Sequence, residues 1–339
     1  MHRIDVPSAV PALPTPKQPG TPGYYTDGDP TTGLQATIVS DDWCNAVQEE
    51  IAYVVEQSGL VLSKTDRTQL YQAIGRLTRI RLTAPATWYI SPTGNDNNNG
   101  LTQATAWQTI TKGYNYIRDH VDVAGFQTTL QLANGTYAAA TCSFPVIGPA
   151  PIILGNAADA SQVIVNNPNG PALVVWNGST VVCNSFTVQA AGPAGDYGAV
   201  GSGILAGNGG VAILSNMRFG TCSQFHMDVR NGGTITMGAT GKNYTIAGSA
   251  QSHMAALGGY IATADAAISI SGTPAFSNGY AFAAGGGAEL DAWGCTFTGA
   301  ATGTRYNGQR YATINTNGAG ANYFPGNAAG TLTTGALYI

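Results

Sequence analysis

Two carboxylates, Glu289 and Asp291, stand two positions apart in the tract Gly287-Ala-Glu-Leu-Asp-Ala-Trp. If that tract is a strand, both point to one face about 7 Å apart. That separation falls within the roughly 6.5–9.5 Å of a carboxylate pair that hydrolyses a glycosidic bond with inversion. The same spacing is also what a solvated strand face shows, and that plainer reading is preferred. Downstream, Trp293, Arg305, Tyr306, Asn307, Arg310 and Tyr311 crowd a glycine-rich stretch. Flat rings, guanidinium forks and amides are the groups that hold a sugar, since they offer broad contact area with polar edges. Charged residues are rare elsewhere, so a surface role is expected for Arg305, Tyr306, Arg310 and Tyr311. Tyr323 and Phe324 read instead as packing against neighbouring subunits.

Other candidate chemistry is thin. The four histidines, His2, His120, His226 and His253, form no H-x-H or H-E-x-x-H pattern, so no metal site and no nucleophilic triad is expected. Asp228, Arg230 and His226 read as mutual neutralisation on one strand face, and Asp119 and Asp122 beside His120 as a polar helix end. Asp96-Asn-Asn-Asn-Gly100 lacks the alternating acids and terminal Glu of a calcium loop and reads as a turn. Five cysteines without a C-x-x-C pair read as buried free thiols, and no cofactor is implied.

The elements that must carry these residues emerge from periodicity. Residues 1–40 are studded with proline and glycine and read as an extended arm, either a disordered tail in the free subunit or a segment that orders only within a socket. Ser40-Asp41-Asp42 starts a helix with apolar positions Trp43, Val47, Ile51, Val54 and Val55, ending at Gly59. Ser63-Lys-Thr-Asp66 starts a second, with Leu70, Ile74 and Leu77 at helical spacing, so 41–84 forms a helical hairpin with an apolar stripe left for an assembly partner. Ile110, Tyr114 and Ile117 mark a short amphipathic helix that caps the strand-rich region beyond it.

From 85 to 300 short apolar runs recur, among them Thr129-Leu-Gln-Leu, Gln162-Val-Ile-Val and Gly210-Val-Ala-Ile-Leu. Glycine pairs at Gly209, Gly232, Gly258 and Gly286 lie 23, 26 and 28 residues apart. One coil per repeat predicts a mainly β chain built as a parallel β-helix, with 301–339 a distal segment. A β-sandwich is the alternative, because Asn134-Gly135, Asn169-Gly170 and Asn177-Gly178 could be hairpin turns. The net charge of −4, with 14 basic residues that do not cluster, excludes a nucleic-acid surface. No apolar run of about 18 residues occurs, so no membrane insertion is expected.

Three stretches together resemble bacteriophage tail fibre and tailspike proteins. Met1-His2-Arg3-Ile4-Asp5, with Thr26-Asp-Gly-Asp-Pro30 and the acidic helix start, is similar to the module by which such fibres join the tail. Tyr89-Ile-Ser-Pro-Thr-Gly94, Ala106-Trp-Gln-Thr-Ile110 and Leu130-Gln-Leu-Ala-Asn-Gly-Thr-Tyr137 resemble the opening of right-handed parallel β-helices related to pectate lyases. Ile314-Asn-Thr-Asn-Gly318 through Tyr323-Phe-Pro-Gly326 resembles the end of several fibres. The resemblance implies a homotrimer in the virion tail, assembled in the host cytoplasm. It implies contact with tail or baseplate proteins through His2, Arg3, Ile4, Asp5 and Trp43, and with bacterial surface polysaccharide. Three functions stay open: a receptor-binding fibre, which is favoured; a depolymerising tailspike, acting as glycoside hydrolase or polysaccharide lyase; and a structural tail or baseplate component that carries another adhesin. Scarce carboxylates in the middle of the chain weigh against an enzyme.

Overall fold

The computed structural model describes residues 2–192 and 201–339; Met1 of the N-terminal tract lies outside them. The chain divides into two compact units, Met1–Ile80 and Arg81–Ile339.

The first unit holds helices α1 (Asp41–Gln57) and α2 (Gln69–Leu77). Ser40 caps α1, its Oγ accepting from the Trp43 amide at 3.2 Å. The second start falls later than Ser63–Asp66 predicts, because the Asp66 carboxylate takes the Thr68 amide and hydroxyl and holds that stretch as a turn. The unit buries little: Ala52 and Val55 on α1, and Gln69 and Ala73 on α2. Leu70, Ile74 and Leu77 stay about half exposed, so the apolar stripe of α2 is uncovered within the unit.

The second unit is a parallel β-solenoid of about seven turns. Among the described residues three sheets line its sides. Sheet A has ten strands from Ala86–Ile90 to Leu337–Tyr338, sheet B seven from Gly135–Tyr137 to Thr296–Thr298, and sheet C eight from Ala140–Ser143 to Thr331–Leu332. The ladders within these sheets run parallel, which rules out a sandwich of hairpins. The four glycine pairs precede Val211–Ser215, Thr234–Met237, Tyr260–Ala262 and Glu289–Asp291, consecutive neighbours in sheet A.

Each glycine pair turns the chain from sheet C to sheet A. Asn177–Gly178, Asn208–Gly209 and Asn231–Gly232 all hold left-handed backbone there, and Gly178 N–H donates to Asn208 O at 3.0 Å in the next coil. Asn-Gly is thus a corner of the solenoid, with the flanking strands in different sheets. Gly210 and Gly233, which follow the left-handed Gly209 and Gly232, answer a different need. A Cβ on Gly210 would sit 2.2 Å from Val175 O, and one on Gly233 2.1 Å from Ala206 O.

The interior is a column of buried apolar side chains contributed once per coil, such as Leu130, Ile153, Cys183, Leu214 and Ile235. Helix α3 (Ile110–His120) covers one end of it, burying Ile110, Gly113, Tyr114 and Ile117. A Cβ on Gly113 would come within 2.9 Å of Leu130, so the helix lies directly on the first coil. The Tyr114 hydroxyl (2.6 Å, to Phe144 O) and Arg118 (2.7 Å, to Ser143 O) pin it in place.

Candidate functional site

Glu289 and Asp291 lie on one face of the sheet A strand Glu289–Asp291, with Leu290 buried between them. Glu289 is exposed. Asp291 is half-buried and both its oxygens are engaged: the Tyr260 hydroxyl donates to Oδ2 at 2.7 Å and Asn315 Nδ2 to Oδ1 at 2.9 Å. These partners come from the strands on either side, Tyr260 opposite Glu289 and Asn315 opposite Asp291. Desolvation, with the Asp291 carboxylate as second cause, pushes the Tyr260 phenol up to about 12, so it serves as a hydrogen-bond donor at neutral pH.

One coil further on, Arg310 and Tyr311 occupy the corner between sheets C and A. Their backbones are left-handed, φ 54° and 62°. The corresponding turns carry Asn-Gly three times, then Gly258 and Gly287, and after this one Thr334–Gly335. Among the described residues only this corner places two large side chains in that conformation, which costs a non-glycine residue about 1–2 kcal/mol. Tyr311 is 72 % exposed. Its ring lies over Gly335, where an added Cβ would meet it at 2.6 Å. The glycine supports one side of the ring and leaves the other to solvent. On the sheet C side of the corner, Gln309 Nε2 donates to Asn307 Oδ1 at 3.2 Å and Asn307 Nδ2 to Asn278 Oδ1 at 2.9 Å, a row of planar amides. Glu289 and Asp291 lie on sheet A one coil before the Arg310–Tyr311 corner, and Asn307 lies on the sheet C strand that leads into that corner. Trp293, 39 % exposed, lies just past the end of the Glu289–Asp291 strand.

Two expectations are corrected. Tyr306 is 8 % exposed and stacks on Tyr338 at 4.1 Å between ring centroids, in a slot left by Gly330; it is core, not surface. Phe324 is buried in the chain's own core and Tyr323 packs on Phe297, so neither waits for a neighbouring subunit. Arg305 is half-buried with Nη1 on Ala328 O at 3.2 Å. Of the cysteines, Cys44 is exposed on α1 while the other four are buried.

Asp228 and Arg230 pair as expected, in bidentate form at 2.9 and 3.0 Å, with Ser202 as a third partner. His226 departs from that grouping and enters the core. Its Nδ1 lies 2.9 Å from Nδ1 of His253, whose Nε2 is 3.1 Å from the Tyr244 hydroxyl. Both histidines are fully buried. Desolvation lowers His226 to about 3 and holds His253 well below its ordinary value, so each is neutral. Their 27-residue separation, one coil, was the available signal.

In the first unit the arm is tied to α1. Arg3 reaches both Glu49 and Glu56 at 2.8 Å, Ile4 N–H donates to Gln48 at 2.7 Å, and Asp5 pairs with Lys64 at 2.7 Å. His2 is exposed, and half-exposed Trp43 meets Tyr25 edge-on at 5.4 Å. Asp96 folds over the start of α3, accepting from the Gln108 and Thr109 amides and the Thr109 hydroxyl.

No family model matches the chain, and no solved structure matches it. It is similar to the "Uncharacterized protein StfP" of Escherichia coli (strain K12), with 39 % identity over 77 residues, 23 % of this chain. The chain covers about a third (35 %) of that relative's length. Among the described residues no helix is long and apolar enough to cross a membrane.

Proposed function

We propose that this chain is a phage tail fibre protein that binds bacterial surface polysaccharide without cleaving it, through the flank that holds Arg310 and Tyr311. A parallel β-helix fits a tail fibre or tailspike. The observation that carries the reading is the Arg310–Tyr311 corner: exposed, conformationally costly, and occupying a turn that neighbouring coils fill with glycine. Strain of that kind persists where the side chains serve a contact. Asn307, Gln309, Tyr260 and Asn315 supply hydroxyl and amide partners on either side. The first unit joins the tail, its uncovered α2 stripe packing against tail or baseplate protein and against further copies in a trimer.

The test is retention of purified protein on host cells together with release of reducing ends from host polysaccharide. Retention without release, reduced at least about tenfold by Tyr311→Ala, is the expected result. Release abolished by Glu289→Gln or Asp291→Asn would establish a depolymerase instead, the reading that the shared face of those two carboxylates favours. Neither retention nor release would point to a structural component that carries another adhesin.

A further inference from the structure

A concavity lies at the opposite end of the solenoid from the Arg310–Tyr311 corner. It is a groove of about 850 Å³ on the outer face of the first sheet A strands, within the size range of ligand sites. Tyr89, Gln131 and Leu154 form its floor in direct cross-strand register, at the roughly 4.8 Å spacing of neighbouring strands. Asn134 and Asn156 line one end and Gln103 rises on the side.

The wall is rigid. Tyr89 N–H donates to Gly100 O at 2.7 Å, Trp107 N–H to Tyr89 O at 3.0 Å, and the buried Trp107 indole to Asn98 O at 2.7 Å. The groove is therefore preformed, which limits the ordering cost of binding.

Its chemistry is specific in what it offers. Among the described residues the Tyr89 hydroxyl and the Gln103 amide make no hydrogen bond. Gln131 commits Nε2 to the Leu132, Leu154 and Gly155 carbonyls and leaves Oε1 open, while Asn156 Nδ2 donates to Asn134 Oδ1 at 3.0 Å. No charged side chain lines the groove. An ionised ligand would lose hydration there with no counter-charge, whereas hydroxyls can exchange water for amide and phenol partners. The groove sits on a sheet face rather than an edge, so it offers no backbone ladder to an extended peptide.

We propose that this groove is a binding site for an uncharged saccharide, distinct from the Arg310–Tyr311 flank. With no carboxylate in its lining it holds the sugar without hydrolysing it. The inference draws on the reading above only for the source of the sugar, bacterial surface polysaccharide.

The test uses the full chain with neutral hexasaccharides of glucose, galactose, mannose and N-acetylglucosamine, and one of alternating uronate as the acidic comparison. Affinities are measured by titration calorimetry. At least one neutral hexasaccharide should bind, about tenfold more weakly in both Tyr89→Ala and Gln131→Ala. The acidic hexasaccharide should bind at least about tenfold more weakly than the neutral one. Two separate variants, each checked by circular dichroism, protect the result against misfolding of either. Absence of neutral binding, binding indifferent to both variants, or equal affinity for the acidic sugar would overturn the site. Loss of binding only in Tyr311→Ala would also overturn it, while leaving the attachment reading intact.

Discussion

Arg310 and Tyr311 set local stability against exposure. Left-handed backbone is easier for asparagine than for arginine, so Arg310→Asn should raise the stability of the folded chain by about 1 kcal/mol. Thermal melts would show this, and lower retention on host cells in the same variant would show what the strain maintains. The buried histidines make a second prediction at this scale. Their folded pKa values are depressed, so below the ordinary value of about 6.5 the unfolded chain binds protons that the folded chain cannot. Stability should be fully present above pH 6.5 and fall as pH drops toward 3, by up to about 1.4 kcal/mol per pH unit for each histidine. Asp228 acts with the opposite sign, because burial raises it despite Arg230, and acid relieves its cost. Surface carboxylates that are lowered, such as Asp159, lose their contribution only below the usual carboxylate range. In the interval from pH 6.5 to about 4.5 the two histidines lower stability as pH falls, with Asp228 opposing them. Urea titrations across that interval should show a slope in the native chain and a flattened one when His226→Phe and His253→Phe are combined.

At the scale of elements, the corners between sheets C and A combine two demands on neighbouring glycines. Gly209 is left-handed and a Cβ there would meet only Gly178 Cα, at an ordinary 4.0 Å, whereas Gly210 has a Cβ position 2.2 Å from Val175 O. Gly210→Ala must push coils apart and should lower the melting temperature well beyond Gly209→Ala, where the cost is the roughly 1–2 kcal/mol of conformational strain. These corners and the apolar runs after them were legible in the sequence, because glycine and period-2 burial leave a local trace. The sheet C strands Phe225–Arg230 and Ser252–Leu257 were not. They are buried on both faces and carry histidine, serine and alanine without alternation. The site was legible in part. Arg310 and Tyr311 stood out as charge and aromatic in a bland stretch, but Tyr306 has the same character and is buried, because the slot that receives it comes from Gly330 in the next coil. The groove at Tyr89 left no trace, since its floor joins residues 89, 131 and 154, which meet only when coils stack.

At the scale of the whole molecule, the second unit has its own continuous core and its own helical cap. Residues 81–339 expressed alone should fold cooperatively with a β-rich circular dichroism spectrum; a molten spectrum with no melting transition would show that the first unit is required. The parallel stacking has a mechanical consequence. The bonds between coils lie along the solenoid's long direction, so tension applied there loads them one coil after another. Extension should proceed as a train of small steps, each releasing a single coil, while force applied across the stack meets many bonds in shear at once. A protein with this core is compliant lengthwise and stiff sideways.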